Sequence, residues 1–166
     1  MTSSPLESLK TQILQLTEQF AELALEKVEF KPGESAVPVS GKTLFPSDYS
    51  SVVESVLDGW FTAGRFTASF ERKLSEFVGV RKALFVNSGS SANLCALSAL
   101  TSSKLGKRAL REGDEVATVA MGFPTTVNPI IQNRLKPVFV DIDSTTLDVD
   151  VNLLREAITP KTKAIM

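Results

Sequence analysis

The 166-residue chain has no histidine and a single cysteine, Cys95. Without histidine, the commonest general base and the commonest zinc ligand are both missing. Acid–base chemistry would therefore fall to a carboxylate, a lysine, a tyrosine, a cofactor or residues outside the chain. One cysteine excludes an intrachain disulfide and any metal or iron–sulfur site built from this chain's cysteines. Cys95 falls in an apolar stretch and reads as a small core residue. Neither sign of charge is in excess: 18 Lys and Arg face 19 Asp and Glu, for a net charge of −1. Nothing there points to nucleic acid or to a charge-driven partner. No apolar run reaches membrane length, and residues 1–5 lack a basic start followed by an apolar core. A cytoplasmic location with no membrane partner is the expectation. The dinucleotide fingerprint needs three spaced glycines, and the one turn that could carry it has only Gly89.

What is present is an ordinary α/β composition, 43% apolar, in one domain or part of one. Ser4-Pro5-Leu6-Glu7 is a capping box with proline at the first helical position. Leu6, Leu9, Ile13, Leu16, Phe20 and Leu23 follow at helical spacing, predicting an amphipathic helix to about Lys27. It could dock on its own domain or on a second subunit. Residues 31–45 read as an extended connector, interrupted by Gly and Pro. A second helix is expected from Ser47 to Gly59, an irregular stretch over 60–66, and a third helix through Phe70, Leu74 and Phe77 to Gly79.

Beyond Arg81 the pattern alternates. Strands are expected at 83–86, 115–119, 138–141 and from Ala164 onward, with helices near 91–102, 125–132 and 151–158. Apolar strands joined by helix-length crossovers make a mainly parallel sheet flanked by helices. The fold class is thus α/β, with N-terminal helices ahead of the sheet. Residues 1–46 form a helix and connector, and residues 47–166 form the sheet-bearing part. The sequence stops within an expected strand, so a truncated piece of a larger domain is the expectation.

Function in such sheets gathers at the carboxyl ends of the strands. There, Val86-Asn87-Ser88-Gly89-Ser90-Ser91 turns from strand into helix. A helix N-terminus offers free N–H groups and positive potential to an anion. Ser90 and Ser91 add hydroxyls, and Gly89 allows close approach. Phosphate binding and a plain capped turn both fit. Phe123, just after the next strand, could stack on a planar ring or fill the core. Together the two loops suggest a phosphate-plus-ring ligand such as pyridoxal or pyridoxamine phosphate. Thr62, Gly64, Arg65 and Phe66 place one arginine among aromatics, either to hold a phosphate or carboxylate or as a solvated loop. Asp141 and Asp143 read as turn and capping residues, and no metal site is expected.

Phe61-Thr62 with Gly64-Arg65-Phe66, Phe70-Glu71, the run from Ala83 to Asn93, Gly113-Asp114-Glu115-Val116, the run from Gly122 to Ile131 and the run from Pro137 to Asp143 occur in that order. Together they resemble the DegT/StrS-type sugar aminotransferases, which are fold type I vitamin B6 enzymes. Within that family they look most like the branch of CDP-4-keto-6-deoxyglucose 3-dehydrases of lipopolysaccharide biosynthesis. The resemblance implies that residues 47–166 are the N-terminal part of a cofactor-binding large domain. It implies that Gly89, Ser90 and Ser91 hold the phosphate of pyridoxamine or pyridoxal phosphate and that Phe123 stacks on its ring. Thr62, Gly64, Arg65 and Phe66 would lie near a nucleotide-sugar substrate, at a homodimer interface. The implied reaction removes the 3-hydroxyl of a CDP-4-keto-6-deoxyhexose, after which an iron–sulfur flavin reductase completes the deoxygenation. A sugar aminotransferase of the same family, and an inactive remnant, are the alternatives. The family's base, its ring-nitrogen aspartate and the cysteines of a 2Fe–2S cluster would all lie beyond Met166, so these residues alone are expected to be inactive.

Overall fold

The computed structural model describes residues 4–25 and 29–166. They fall into two compact units, Met1–Phe85 and Val86–Met166, each taken by itself.

In the first unit, helix α1 (Pro5–Ala24) starts where its capping residues direct: Ser4 Oγ accepts the Glu7 N–H at 3.2 Å. The expected run on to Lys27 enters 26–28, which lie outside the described residues. Helix α2 (Pro46–Leu57) begins one residue earlier than expected, because Pro46 takes the first position and the Asp48 carboxylate accepts the Phe45 N–H at 2.8 Å. The two helices pack through an α1 stripe of Lys10, Leu14, Thr17 and Ala21, of which Ala21 is fully buried. Helix α3 (Arg65–Phe77) starts inside the stretch expected to be irregular, so Arg65 and Phe66 sit on its first turn rather than in a loop.

The expected strand at 83–86 does not form. A strand exists only through bonds to a neighbouring strand, and here the Phe85 N–H donates to the Glu71 carboxylate at 2.8 Å instead. The Phe85 ring meets Phe70 edge-on, with centroids 5.4 Å apart.

The second unit opens with α4 (Gly89–Leu100) and holds a parallel sheet in the order β2-β1-β3. β1 (Glu115–Val119) lies between β2 (Lys136–Val140) and β3 (Thr162–Ile165). Helix α5 (Pro124–Gln132) links β1 to β2, and α6 (Val151–Ala157) links β2 to β3. These are the predicted crossovers. A 3-10 turn over Ser103–Arg108, kinked at Gly106 (φ 58°), was not expected. Leu97, Leu110, Val116, Ile130 and Leu135 form the core, with Ala164 and Met166 packed against it.

Helix α4 covers Leu97 and leaves Leu94 and Leu100 partly exposed; Cys95, expected to be a small core residue, is exposed. The covered side of α4 is the one turned to α5 and the core, and Cys95 is on another.

Candidate functional site

Ser88 caps the turn before α4, as either a phosphate-binding turn or a plain helix start would be capped. Ser88 Oγ accepts the Ser91 N–H at 3.1 Å and donates to Ser91 Oγ at 3.2 Å. The Gly89 and Ser90 N–H groups, and the Ser90 hydroxyl, find no partner among the described residues. A Cβ built on Gly89 meets nothing within 4 Å, so the space above the turn is open. Two free backbone donors, two serine hydroxyls and a helix N-terminus form a donor set suited to a phosphate.

A second helix N-terminus lies beside the first. Pro124 starts α5 at the carboxyl end of β1, and Pro129 sits within that helix. Proline has no N–H, so the carbonyl four residues back, Thr125 O, loses its helical partner. Asn93 of α4 supplies the replacement, its Nδ2 donating to Thr125 O at 3.3 Å. The bond ties the starts of α4 and α5 together beside an open cavity of about 170 Å³ lined by Ser90, Ser91, Leu94, Thr125, Asn128, Pro129 and Gln132. That volume suits a phosphate group and falls short of the ~300 Å³ of a whole small-molecule site.

Ser90 and Ser91 are therefore brought together, with Thr125 and Asn128 as lining that the sequence reading missed. Pro129, the fifth residue of the expected helix 125–132, was the signal for the freed carbonyl. Phe123 caps α5, is 72% exposed and does not line this cavity.

In the first unit, Thr62, Gly64, Arg65 and Phe66 line one cavity of about 330 Å³, with Asp58 and Trp60. The Trp60 indole N–H donates to Ala63 O at 3.1 Å, folding the turn over. Arg65 is already engaged. Its Nε and Nη2 fork onto Asp58 at 2.6 and 3.1 Å, Nη2 also meets Glu54 at 2.7 Å, and the guanidinium lies 4.3 Å from the Phe66 ring centre. Lys10 reaches Glu54 at 3.1 Å, so α1, α2 and α3 share one ion-pair network. Only Nη1 is left to face a ligand among the described contacts. The rest of the guanidinium is structural.

Hydrogen bonds from Arg65 hold the Glu54 and Asp58 carboxyls below their ordinary values of 4.5 and 3.8, and raise Arg65 further above its own. A lowered carboxylate pKa favours the fold above the ordinary value, and that contribution disappears as pH falls through the lowered one. Fluorescence of Trp60, the chain's one tryptophan, should therefore hold steady through pH 4.5 and change only in stronger acid. Arg65→Lys, which loses the fork, should move the midpoint upward. A wild-type midpoint at or above 4.5 would mean that the network holds nothing.

Asp143 acts as expected of a turn residue: Oδ1 accepts the Thr145 and Thr146 N–H groups at 2.7 and 3.1 Å, which lowers its pKa. Among the described residues no helix is long and apolar enough to cross a membrane.

The model of the DegT/DnrJ/EryC1/StrS aminotransferase family matches residues 46–166, which include both clusters. The chain belongs to that family. It is 57% identical over 159 residues to the lipopolysaccharide biosynthesis protein RfbH of Salmonella typhimurium, covering 96% of this chain and 36% of that protein. It is 48% identical over 141 residues to dTDP-4-dehydro-2,6-dideoxy-D-glucose 3-dehydratase of Saccharopolyspora spinosa, covering 85% and 30%. Among solved structures, E. coli GDP-4-keto-6-deoxy-D-mannose-3-dehydratase with bound hydrated PLP is 38% identical with a TM-score of 0.69, over 77% of this chain and 32% of that one. The chain thus spans about a third of the length of these relatives. The family fold is that of the fold type I B6 enzymes, as the motifs implied.

Proposed function

We propose that this chain supplies the phosphate end of a pyridoxamine 5′-phosphate site in a nucleotide-sugar 3-dehydrase. The carrying observation is the pair of aligned helix starts, with Ser90 and Ser91 opening onto their shared cavity. The Gly89 and Ser90 N–H groups and the two serine hydroxyls would hold the phosphate, and exposed Phe123 would stack on the ring. When bound, the cofactor contributes an amino group that joins a 4-keto sugar and a ring that takes up the electrons as the 3-hydroxyl leaves. The residues at α4 fix that ring in place through its phosphate. Asn93 holds the two helix starts in register. Thr62, Gly64, Arg65 and Phe66 would meet the nucleotide sugar, with Arg65 Nη1 as the available cation. The chain has no histidine and none of its residues is assigned as the base, so the reaction takes its base from elsewhere in the protein. A homodimer, a 2Fe–2S cluster on residues outside these, an iron–sulfur flavin reductase as partner and a cytoplasmic setting complete the reading.

The 3-dehydratase reading is favoured over amino transfer because a 3-dehydratase shares 48% of its aligned residues with this chain and an aminotransferase of Shewanella sediminis shares 32%. The test supplies the protein with pyridoxamine phosphate and CDP-4-keto-6-deoxyglucose and follows the sugar by mass spectrometry. Loss of the 3-hydroxyl supports the reading. Transfer of an amino group from glutamate would replace it with the aminotransferase. Cofactor binding without either reaction would overturn the activity but leave the cofactor site standing.

A further inference from the structure

We infer, building on the cofactor site proposed above, that Asn93 is a positioning residue whose bond to Thr125 sets the spacing between the phosphate turn and Phe123. That spacing selects a phosphate joined to a planar ring over phosphate alone. The two features that would face such a ligand sit on different helices. Gly89, Ser90 and Ser91 form the first turn of α4, and Phe123 caps α5. Both helices are short, 12 and 9 residues, and their buried anchors lie away from their starts: Leu97 on α4, Pro129 and Ile130 on α5. Leu97 and Ile130 share one core cluster. With that anchor alone each helix could pivot, and a pivot moves the far first turn most. The Asn93 amide adds a second point, Nδ2 donating to Thr125 O at 3.3 Å. It lies one turn beyond Gly89 on α4 and reaches α5 two residues after Phe123. Two separated points fix an angle as well as a distance.

Proline is what turns a local bond into a link between helices. A residue with an N–H at position 129 would satisfy Thr125 O inside α5 and leave Asn93 without that task. Pro129 withholds the N–H, and the donor comes from α4, in a setting where Asn93 and Thr125 are both half-buried. The cavity beside the link explains why spacing decides the ligand. At about 170 Å³ it has room for a phosphate and none for a ring as well, so a ring attached to that phosphate lies outside it. Phe123, exposed and not part of the cavity lining, is the shelf such a ring would meet. The phosphate turn alone binds any phosphate. Discrimination comes from where Phe123 stands relative to that turn, and a site held loosely by even about 1 Å loses much of its preorganisation.

The test measures Kd for pyridoxamine phosphate, and by competition for inorganic phosphate, in the full protein and in Asn93→Ala, Pro129→Ala and the pair. Asn93→Ala should weaken pyridoxamine phosphate roughly tenfold as preorganisation is lost, and inorganic phosphate by less than about twofold. It should also lower Tm by a few degrees, because a half-buried carbonyl loses its donor. Pro129→Ala returns an N–H to Thr125 O, which has lone pairs for that donor and for Asn93 together. In that background Asn93→Ala should cost much less Tm, yet the roughly tenfold loss of pyridoxamine phosphate should persist, since the link between helices is still cut. An affinity loss that disappears along with the Tm loss would overturn the proposal, leaving Asn93 a partner for one carbonyl and nothing more. Equal weakening of both ligands, or of neither, would overturn it too. In each of those cases the wild-type protein still binds pyridoxamine phosphate and the cofactor reading stands. Failure of the wild-type protein to bind it would instead remove that reading, and the positioning role with it.

Discussion

Ser90→Asp should weaken binding of pyridoxamine phosphate roughly a hundredfold while leaving α4 as stable as before or more so. The two effects run in opposite directions for one reason. The first turn of α4 presents positive potential and unpaired N–H groups at Gly89 and Ser90. A carboxylate fixed there satisfies the helix and excludes the phosphate that would otherwise do so. Ser90→Ala removes only a hydroxyl donor to an anion and should cost about tenfold. Titration of cofactor absorbance gives the affinities, and a thermal melt of the same variants gives stability. Unchanged affinity in Ser90→Asp would mean that the phosphate lies elsewhere. A fall in stability with the loss of binding would point to a damaged turn instead.

Ile130→Ala should be the most destabilising single truncation in the second unit. Ile130 is fully buried on α5 and packs with Leu97, Val116, Leu110 and Leu135, so the change leaves a cavity where helix and sheet meet. Such truncations cost about 2–5 kcal/mol, a large part of the ~5–15 kcal/mol that holds a typical domain folded. A fall in Tm of more than about 10 °C is expected. The neighbouring Ile131 is 59% exposed, so Ile131→Ala should fall within about 0.5 kcal/mol of wild type. Equal shifts in the two variants would contradict the burial pattern of α5. Because α5 also lines the candidate phosphate cavity, Ile130→Ala should weaken cofactor binding only as far as it unfolds the unit.

The family and most elements were legible in the sequence because their signals are local. Ser4 with Glu7 started α1, continuous apolar runs marked β1 and β2, and Asp143 read as a turn residue. The motif order around Gly89, Phe123 and Arg65 was enough to place the chain in its family. The misreadings came where partners decide the outcome. Residues 83–86 have the composition of a strand, but Phe85 bonds to Glu71 and no strand among the described residues pairs with it. Cys95 sits in an apolar run, yet its side of α4 is uncovered. Arg65 looked free for a ligand, while Asp58 and Glu54, seven and eleven residues earlier, take most of its donors.

The sequence by itself determined the helix caps, the parallel α/β pattern, the family and the phosphate-suited turn, all properties of contiguous residues. Tertiary structure alone decided how those pieces meet. Pro129 freed the Thr125 carbonyl and Asn93, 32 residues away, satisfied it; that bond ties two helix starts together beside a cavity. A sequence displays the donor and the orphaned acceptor. Only the folded chain brings them within hydrogen-bonding distance, because a half-buried carbonyl that has lost its helical partner takes a donor wherever in the chain that donor lies.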